Sequence, residues 1–506
     1  MRVYAKEVET VIKSEDGKSK KYVIMGDWLD VEDHPTMPSK YIVNWRTWNA
    51  RTSTAGVKKY LIAKNKCQSD AFLEMIFLDV GQGDGCIVNV PDGNSQQIMI
   101  VDAGERSNMH RFLEWRFRYV DGNAKFHAAV ITHPDQDHYK GFQYIFADAR
   151  ISFEIVYHNG LMERVAPRGE EIGVPVAGRC EIFPTRIDVN AFYSVPGRRG
   201  GKQYPKLMWT ALQAPTRFGD IRMASTLHGA SSGGKTWLPG FTPVADKPSI
   251  EILGPVPDSS GGTTSLRAFG DAPHDGGFDV GKTKNGHSVI LRLAYRNFSV
   301  IFGGDLNRPS EDYLLRHYGE IGDGATLSDA LAKAKPRLGA DLLKCCHHGS
   351  ADVTDEFLEA VSPFAFVVSS GDEESHVHPR PEILGLLGKK GRGRRPLVLC
   401  TEILRSTPES RSLSDGDQEA IDALLEAVKA AETPTERSAA RKAVSDFWNA
   451  RFRRLVNVYG AINIRTDGNR LVVGFRKEAV KTGSPWQLYD YRFTGGAWVG
   501  KEIDGH

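Results

Sequence analysis

The segment Thr132-His133-Pro134-Asp135-Gln136-Asp137-His138 follows directly on the apolar run Ala128-Ala129-Val130-Ile131. A β-strand ending in His-x-Asp-x-Asp-His delivers two imidazoles and two carboxylates to one point at a strand-to-loop edge. Clusters of this kind bind divalent metal. A polar loop whose residues only cap or turn is disfavoured by so many ligand types at such tight spacing. Other apolar runs end alike: Phe77-Leu78-Asp79-Val80-Gly81-Gln82-Gly83-Asp84, Ile98 to Asp102-Ala103-Gly104, Ser299 to Gly303-Gly304-Asp305, and Asp341 to His347-His348-Gly349-Ser350. Strands that each carry Asp or His at the C-terminal end describe a site built by loops along one edge of a sheet sandwich.

In their order these motifs resemble the metallo-β-lactamase fold. Within it, the chain is most similar to the hydrolase domain of the DNA-uptake protein ComEC and its soluble relatives. The matching signatures are F-L-D-V-G-Q-G-D, I-V-D-A-G, T-H-P-D-Q-D-H-Y-K-G, S-V-I-L-R-L, F-G-G-D, L-L-K-C-C-H-H-G-S and H-V-H-P-R-P-E. They lie within residues 72–160 and 284–405, with a continuation at 456–480. The resemblance implies an α/β fold, an αββα sandwich. It carries a β-rich N-terminal extension (1–70), a first half (71–158), a long central insertion (159–283), a second half (284–405) and a C-terminal α+β segment (406–506). The insertion is turn-rich and reads as a lid or an interaction region. In the C-terminal segment Ile421, Leu424, Leu425 and Val428 recur at helical spacing, a packing stripe or a partner-binding face.

The resemblance also implies roles. His133 and Asp135 would face one metal, Asp137 and His138 the other, and Asp305 would bridge them. His347 or His348 would complete the second set, with His347 favoured because it leaves the strand first and His348 left to contact substrate. Asp137 doubles as a catalytic residue. His378, in His376-Val377-His378-Pro379, would donate a proton or bind a phosphate oxygen, as histidine does near neutral pH. Asp102 and Asp84 would support the ligands. Asn285 and His287 compete for the position before the strand that leads to Asp305. An Asp at position 135, where the lactamase signature has His, hardens the first set towards Mn²⁺, with Zn²⁺ next. Two such ions activate water for phosphodiester hydrolysis.

Composition narrows the partners. A net charge of +2 excludes a strong global field, so nucleic acid must be met by local patches. Lys389, Lys390, Arg392, Arg394 and Arg395 form the best patch, shortly after His378. No run of eighteen apolar residues exists, so neither a transmembrane helix nor the channel that accompanies the ComEC domain is expected. Six cysteines without a C-x-x-C pair read as reduced core residues of a cytoplasmic protein. Gly229 to Thr236 satisfies the P-loop pattern, but Trp237-Leu238-Pro239-Gly240 follows and cannot start the required helix. The reading is a metal-dependent phosphodiesterase, a nuclease acting on DNA. The alternatives are a hydrolase of a small phosphodiester or ester, and a metal-containing scaffold or sensor in a multi-protein system such as defence. Protein partners would use the N-terminal extension, the insertion or the C-terminal helices.

Overall fold

A computed structural model describes residues 1–49, 54–117, 124–260, 262–270, 277–322, 324–371, 378–401, 415–452, 461–477 and 483–503. Its centre is two mixed sheets face to face. The first, ten-stranded among the described residues, includes Leu73–Phe77, Gly85–Asp92, Ser95–Ala103, Ala124–Val130 and Ile151–His158. The second, eight-stranded among the described residues, includes Ser249–Gly254, Ile290–Tyr295, Phe298–Phe302, Leu342–Lys344 and Ala365–Val368.

Strand residues alternate between faces, so each sheet splits its side chains between two cores. Met75, Phe77, Val88, Val101 and Val130 meet Leu291, Val300, Phe302 and Val367 between the sheets, and Phe77 stacks on Phe302 with ring centres 6.0 Å apart. On the far side of the first sheet, Ile76, Ile87, Ile100 and Ala129 pack on helices Asn108–Phe117, Phe142–Ala147 and Gln203–Gln213. Ile301, Leu343 and Phe366 do the same against helices Arg308–Gly319, Leu327–Leu338 and Asp355–Val361. Burial on both faces explains why these strands read as unbroken apolar runs.

The insertion is built into the frame. Its strand Phe218–Met223 extends the first sheet beside Ile151–His158. Its strand Ser249–Gly254 pairs with Ile290–Tyr295 in the second. Gly229 to Thr236 forms a hairpin, Ala230–Ser232 against Lys235–Trp237, with Gly233 and Gly234 at positive φ in the turn. A strand, Lys235–Trp237, and not a helix follows that turn, so the P-loop pattern there is coincidental. The strands from Arg2–Ala5 to Cys67–Gln68 form a separate sheet, seven-stranded among the described residues, and strands Ile462–Thr466 to Ala497–Ile503 continue the first sheet past Leu73–Phe77. Helices Asp415–Ala430 and Pro434–Phe452 pack on each other. Ile421 is buried there while Leu425 is exposed. Among the described residues no helix is long and apolar enough to cross a membrane.

One buried acid makes stability pH-dependent. Glu311 accepts from the Thr354 amide at 2.5 Å and hydroxyl at 2.8 Å, and burial pushes its carboxyl up to about 8 from an ordinary 4.5. Between those values the folded chain holds a proton that the unfolded chain has lost, so stability falls as pH rises through that window. Glu311→Gln is expected to gain unfolding temperature relative to the parent on going from pH 5 to pH 8. An unchanged difference between the two melts would refute the assignment.

Candidate metal centre

Strands of both sheets end at one edge, and their last residues converge there. Asp84, His138, Asp305 and His348, all buried, offer ligand atoms within 4.8 Å of one another. Nε2 of His138 and of His348 lie 3.3 Å apart, and each is 3.2 Å from Asp305 Oδ2. Asp137 Oδ2 is 3.4 Å from His348 Nε2. Atoms bound tetrahedrally at about 2.1 Å from a common centre lie about 3.4 Å from each other. His138 Nε2, His348 Nε2 and Asp305 Oδ2 therefore have the spacing of three ligands to one ion.

The rings are held from behind. Asp102 Oδ2 lies 2.8 Å from His138 Nδ1, and Asp102 also accepts from the Thr132 amide at 2.8 Å and hydroxyl at 2.7 Å. The Ser369 carbonyl lies 3.1 Å from His348 Nδ1, with Asp84 Oδ1 at 3.0 Å. Such outer partners fix the tautomer that turns Nε2 inward. Asp84 is itself ion-paired with the buried Lys344 ammonium, which also donates to the Gly304 carbonyl at 3.1 Å. Lys344 is thus an internal cation rather than a substrate contact.

The electrostatics match. Burial alone would lower the pKa of His138, but Asp305 and Asp102 more than reverse it, and Asp305 and Asp84 do the same for His348. Asp305 resists its own burial and stays far below the carboxylate range because the two imidazoles face it. Its Oδ1 is buried without a hydrogen-bond partner. Two imidazoles and two carboxylates that favour positive charge at one point are a donor set for a divalent cation.

The His347-His348 turn decides which imidazole enters. Both residues adopt left-handed backbone, φ 47° and 53°, and Gly349 follows at 81°. The His347 amide donates to the Gly304 carbonyl at 3.0 Å. This reversal swings His348 inward and leaves His347 partly exposed, its Nε2 4.0 Å from Asp305 Oδ2. The structure therefore puts His348, not the favoured His347, in the shell. Non-glycine residues at positive φ are strained, and strain of this kind gathers at functional sites. His378 stands beyond the turn, its ring 5.7 Å from that of His347 and 6.5 Å from that of His348. His376 and Val377 of the same motif lie outside the described residues.

The other expected ion meets a lysine. His133 Nε2 is 3.7 Å from Asp135 Oδ2 and 4.0 Å from Asp305 Oδ2. Burial, then the neighbouring His138, keeps the His133 ring neutral. Asp135, however, is ion-paired with the Lys284 ammonium, which also bonds Glu163 at 3.1 Å. With its amide turned so that the nitrogen faces these two acceptors, Asn285 donates to the Gly281 carbonyl at 3.1 Å and to Asp135 Oδ2 at 2.8 Å. With its carboxylate already compensated, this pair does not fit a divalent ion. Asn285 orients Asp135 and is no ligand. His287 is not brought to the site either: its ring packs on Phe269 and its Nε2 bonds the Arg267 carbonyl at 2.6 Å. Ser288, one residue on, does reach the site, 3.3 Å from His133 Nδ1 and 3.0 Å from the Asp305 amide.

The basic run is also displaced. Helix Pro381–Lys390 carries the chain about 15 Å from His378. Lys390 is then paired with Asp355 and Glu359, and Arg392 with Asp341 at 2.5 Å. Asp341 immediately precedes strand Leu342–Lys344, whose other end leads into the histidine turn, so this loop sits at the opposite edge of the sheet. Lys389, Arg394 and Arg395 are exposed there. Two arginines the sequence did not single out lie at the rim. Arg308, three residues after Asp305, donates to the Ala351 carbonyl at 3.4 Å. The Arg380 amide donates to the Gly349 carbonyl at 3.0 Å. Both side chains are exposed.

No family model matches the chain. Two solved structures align over much of it, a mutant of the CmlA β-hydroxylase (11% identity, 78% of this chain and 74% of that one, TM-score 0.31) and a β-lactamase domain protein from Burkholderia ambifaria (11%, 62% and 68%, TM-score 0.21). At those scores neither carries an argument. ComE operon protein 3 of Bacillus subtilis (strain 168) is 22% identical over 330 residues, 62% of this chain. The chain spans about a third of that protein's length, 30%. The sequence is thus similar to a ComEC-type protein, in agreement with the resemblance its metallo-β-lactamase-like motifs carry.

Proposed function

We propose that this protein is a metal-dependent phosphodiester hydrolase acting on nucleic acid, with DNA as substrate. The observation that carries the reading is the convergence of Asp84, His138, Asp305 and His348 on one point, with Asp137 3.4 Å from His348 Nε2 and both imidazoles oriented from behind. A divalent ion held there, Mn²⁺ first and Zn²⁺ next, supplies Lewis-acid polarisation and activation of water. The chain's own groups do the rest. His378 holds a proton for the leaving oxygen, His347 faces the substrate from the turn, and Arg308 and Arg380 bind backbone phosphates at the rim. Hydrolysis of single- and double-stranded DNA, RNA and bis-p-nitrophenyl phosphate with Mn²⁺, Zn²⁺ or Mg²⁺, beside Asp137→Asn, tests this. Metal-dependent DNA cleavage lost in the variant supports a nuclease. Cleavage of the small ester alone would replace it with a small-phosphodiester hydrolase.

Lys284 makes the ion count a sharper test. Its ammonium stays charged despite burial because Asp135 and Glu163 face it, and it takes the place of the ion beside His133. The parent is expected to bind one Mn²⁺ per chain and Lys284→Met two, counted by elemental analysis after dialysis. Two ions in the parent would overturn this assignment.

A further inference from the structure

A cavity of about 520 Å³ that shares no residue with the metal centre lies where the N-terminal sheet, helix Asn108–Phe117 and the C-terminal strands meet. Pockets for small ligands run from about 300 to 1,000 Å³ and favour such junctions. Its walls carry six aromatic rings, Tyr22, Trp28, Trp45, Phe112, Trp115 and Trp486. Trp28 and Trp115 keep 37% and 38% of their surface exposed, unusual for a side chain that is normally well covered.

The charge on the walls is one-sided. Arg116 and Arg465 are spent on the buried Glu74, and Arg465 also on Asp27, the one acidic residue of the lining. Lys20, Lys21 and Arg476 have no acidic partner among the described residues. Instead they stand over rings: Lys20 over Tyr22 at 5.4 Å, Lys21 over Trp45 at 5.8 Å and Arg476 over Trp486 at 5.7 Å. Indole faces accept any nucleobase by stacking. Lysine and arginine beside them suit phosphate oxygens.

We propose that this cavity binds a mononucleotide, its base stacked among the tryptophans and its phosphates on Lys20, Lys21 and Arg476. The proposal is independent of the hydrolase reading. Isothermal titration of the full chain in EDTA with ATP, GTP, CTP, UTP, adenosine and inorganic tripolyphosphate tests it. At least one nucleotide is expected to bind at one site per chain. Adenosine and tripolyphosphate should bind at least about tenfold more weakly, since each offers half of the recognition. Arg476→Glu and Trp486→Ala should each weaken the nucleotide by at least about tenfold at an unchanged unfolding temperature, while Asp137→Asn leaves binding intact. If Trp486→Ala does not fold, Lys21→Glu serves in its place. No binding, tripolyphosphate as tight as nucleotide, or affinity unmoved by Arg476→Glu would each overturn the proposal. So would binding of a 5′-phosphorylated tetranucleotide but of no mononucleotide, which would make the cavity a strand-end site.

Discussion

Asp305→Asn is expected to lower metal-dependent hydrolysis by about 10³-fold without unfolding the chain. Asp305 Oδ2 is the atom on which His138, His348, His133 and His347 all converge, at 3.2 to 4.0 Å. The change removes one anionic ligand and keeps the side-chain shape. Electrostatic stabilisation by a catalytic ion is worth several kcal/mol, and about 4 kcal/mol corresponds to about 10³ in rate. The backbone there is set independently of the carboxylate, by the Ser288 hydroxyl on the Asp305 amide and by the Gly304 carbonyl under the histidine turn. Ion affinity should fall in parallel, and a thermal melt should stay cooperative. Full activity with unchanged Mn²⁺ binding would remove the centre from the mechanism. His287→Ala is the matched control: its ring bonds Arg267 and should leave ion affinity as it is.

The largest effect on stability is expected at Arg465. It is fully buried and ties three parts of the chain together. One guanidinium nitrogen donates to the Met25 carbonyl at 2.9 Å and to Asp27 at 2.7 Å, and the other meets Glu74 at 2.7 Å. Burial would raise the Glu74 carboxyl, but Arg116 and Arg465 hold it below its ordinary value. Arg465→Ala strands Glu74 with half its compensation and cuts the N-terminal sheet from the first central sheet. Breaking a buried pair by removing one partner costs about 3–5 kcal/mol, a fall of about 10 °C in Tm for a domain of this size. Adding Glu74→Gln should restore part of the loss, because the penalty is mostly an uncompensated charge. Equal melts for Arg465→Ala and the parent would show that the cluster contributes nothing.

Much of the centre was legible because it is local. His133, Asp135, Asp137 and His138 fall within one turn after a strand, and the apolar runs before Asp102, Asp305 and the His347-His348 pair mark where their strands end. A supporting place for Asp102 was also expected from the sequence, and the structure pairs it with His138. Where the structure arranges these residues otherwise than their order suggests, the cause is three-dimensional. Two consecutive left-handed residues invert the order in which His347 and His348 face inward, and sequence spacing does not show a backbone sign. Helix Pro381–Lys390 moves the basic run to the far edge of the sheet, although only about ten residues separate it from His378. Lys284 gave no signal, being one lysine in a polar stretch until the fold sets it against Asp135 and Glu163.

The sequence by itself determined the layered α/β character, the sheet edge at which the chemistry gathers and the ligand types gathered there. Strand periodicity and strand-end residues are properties of short segments. Only the tertiary structure decided which imidazole enters the shell, that an internal ammonium compensates Asp135, and that aromatic and cationic residues from positions 20 to 486 wall one cavity. Those outcomes depend on contacts between residues far apart in the chain, where charge compensation and burial, not local propensity, choose the partner.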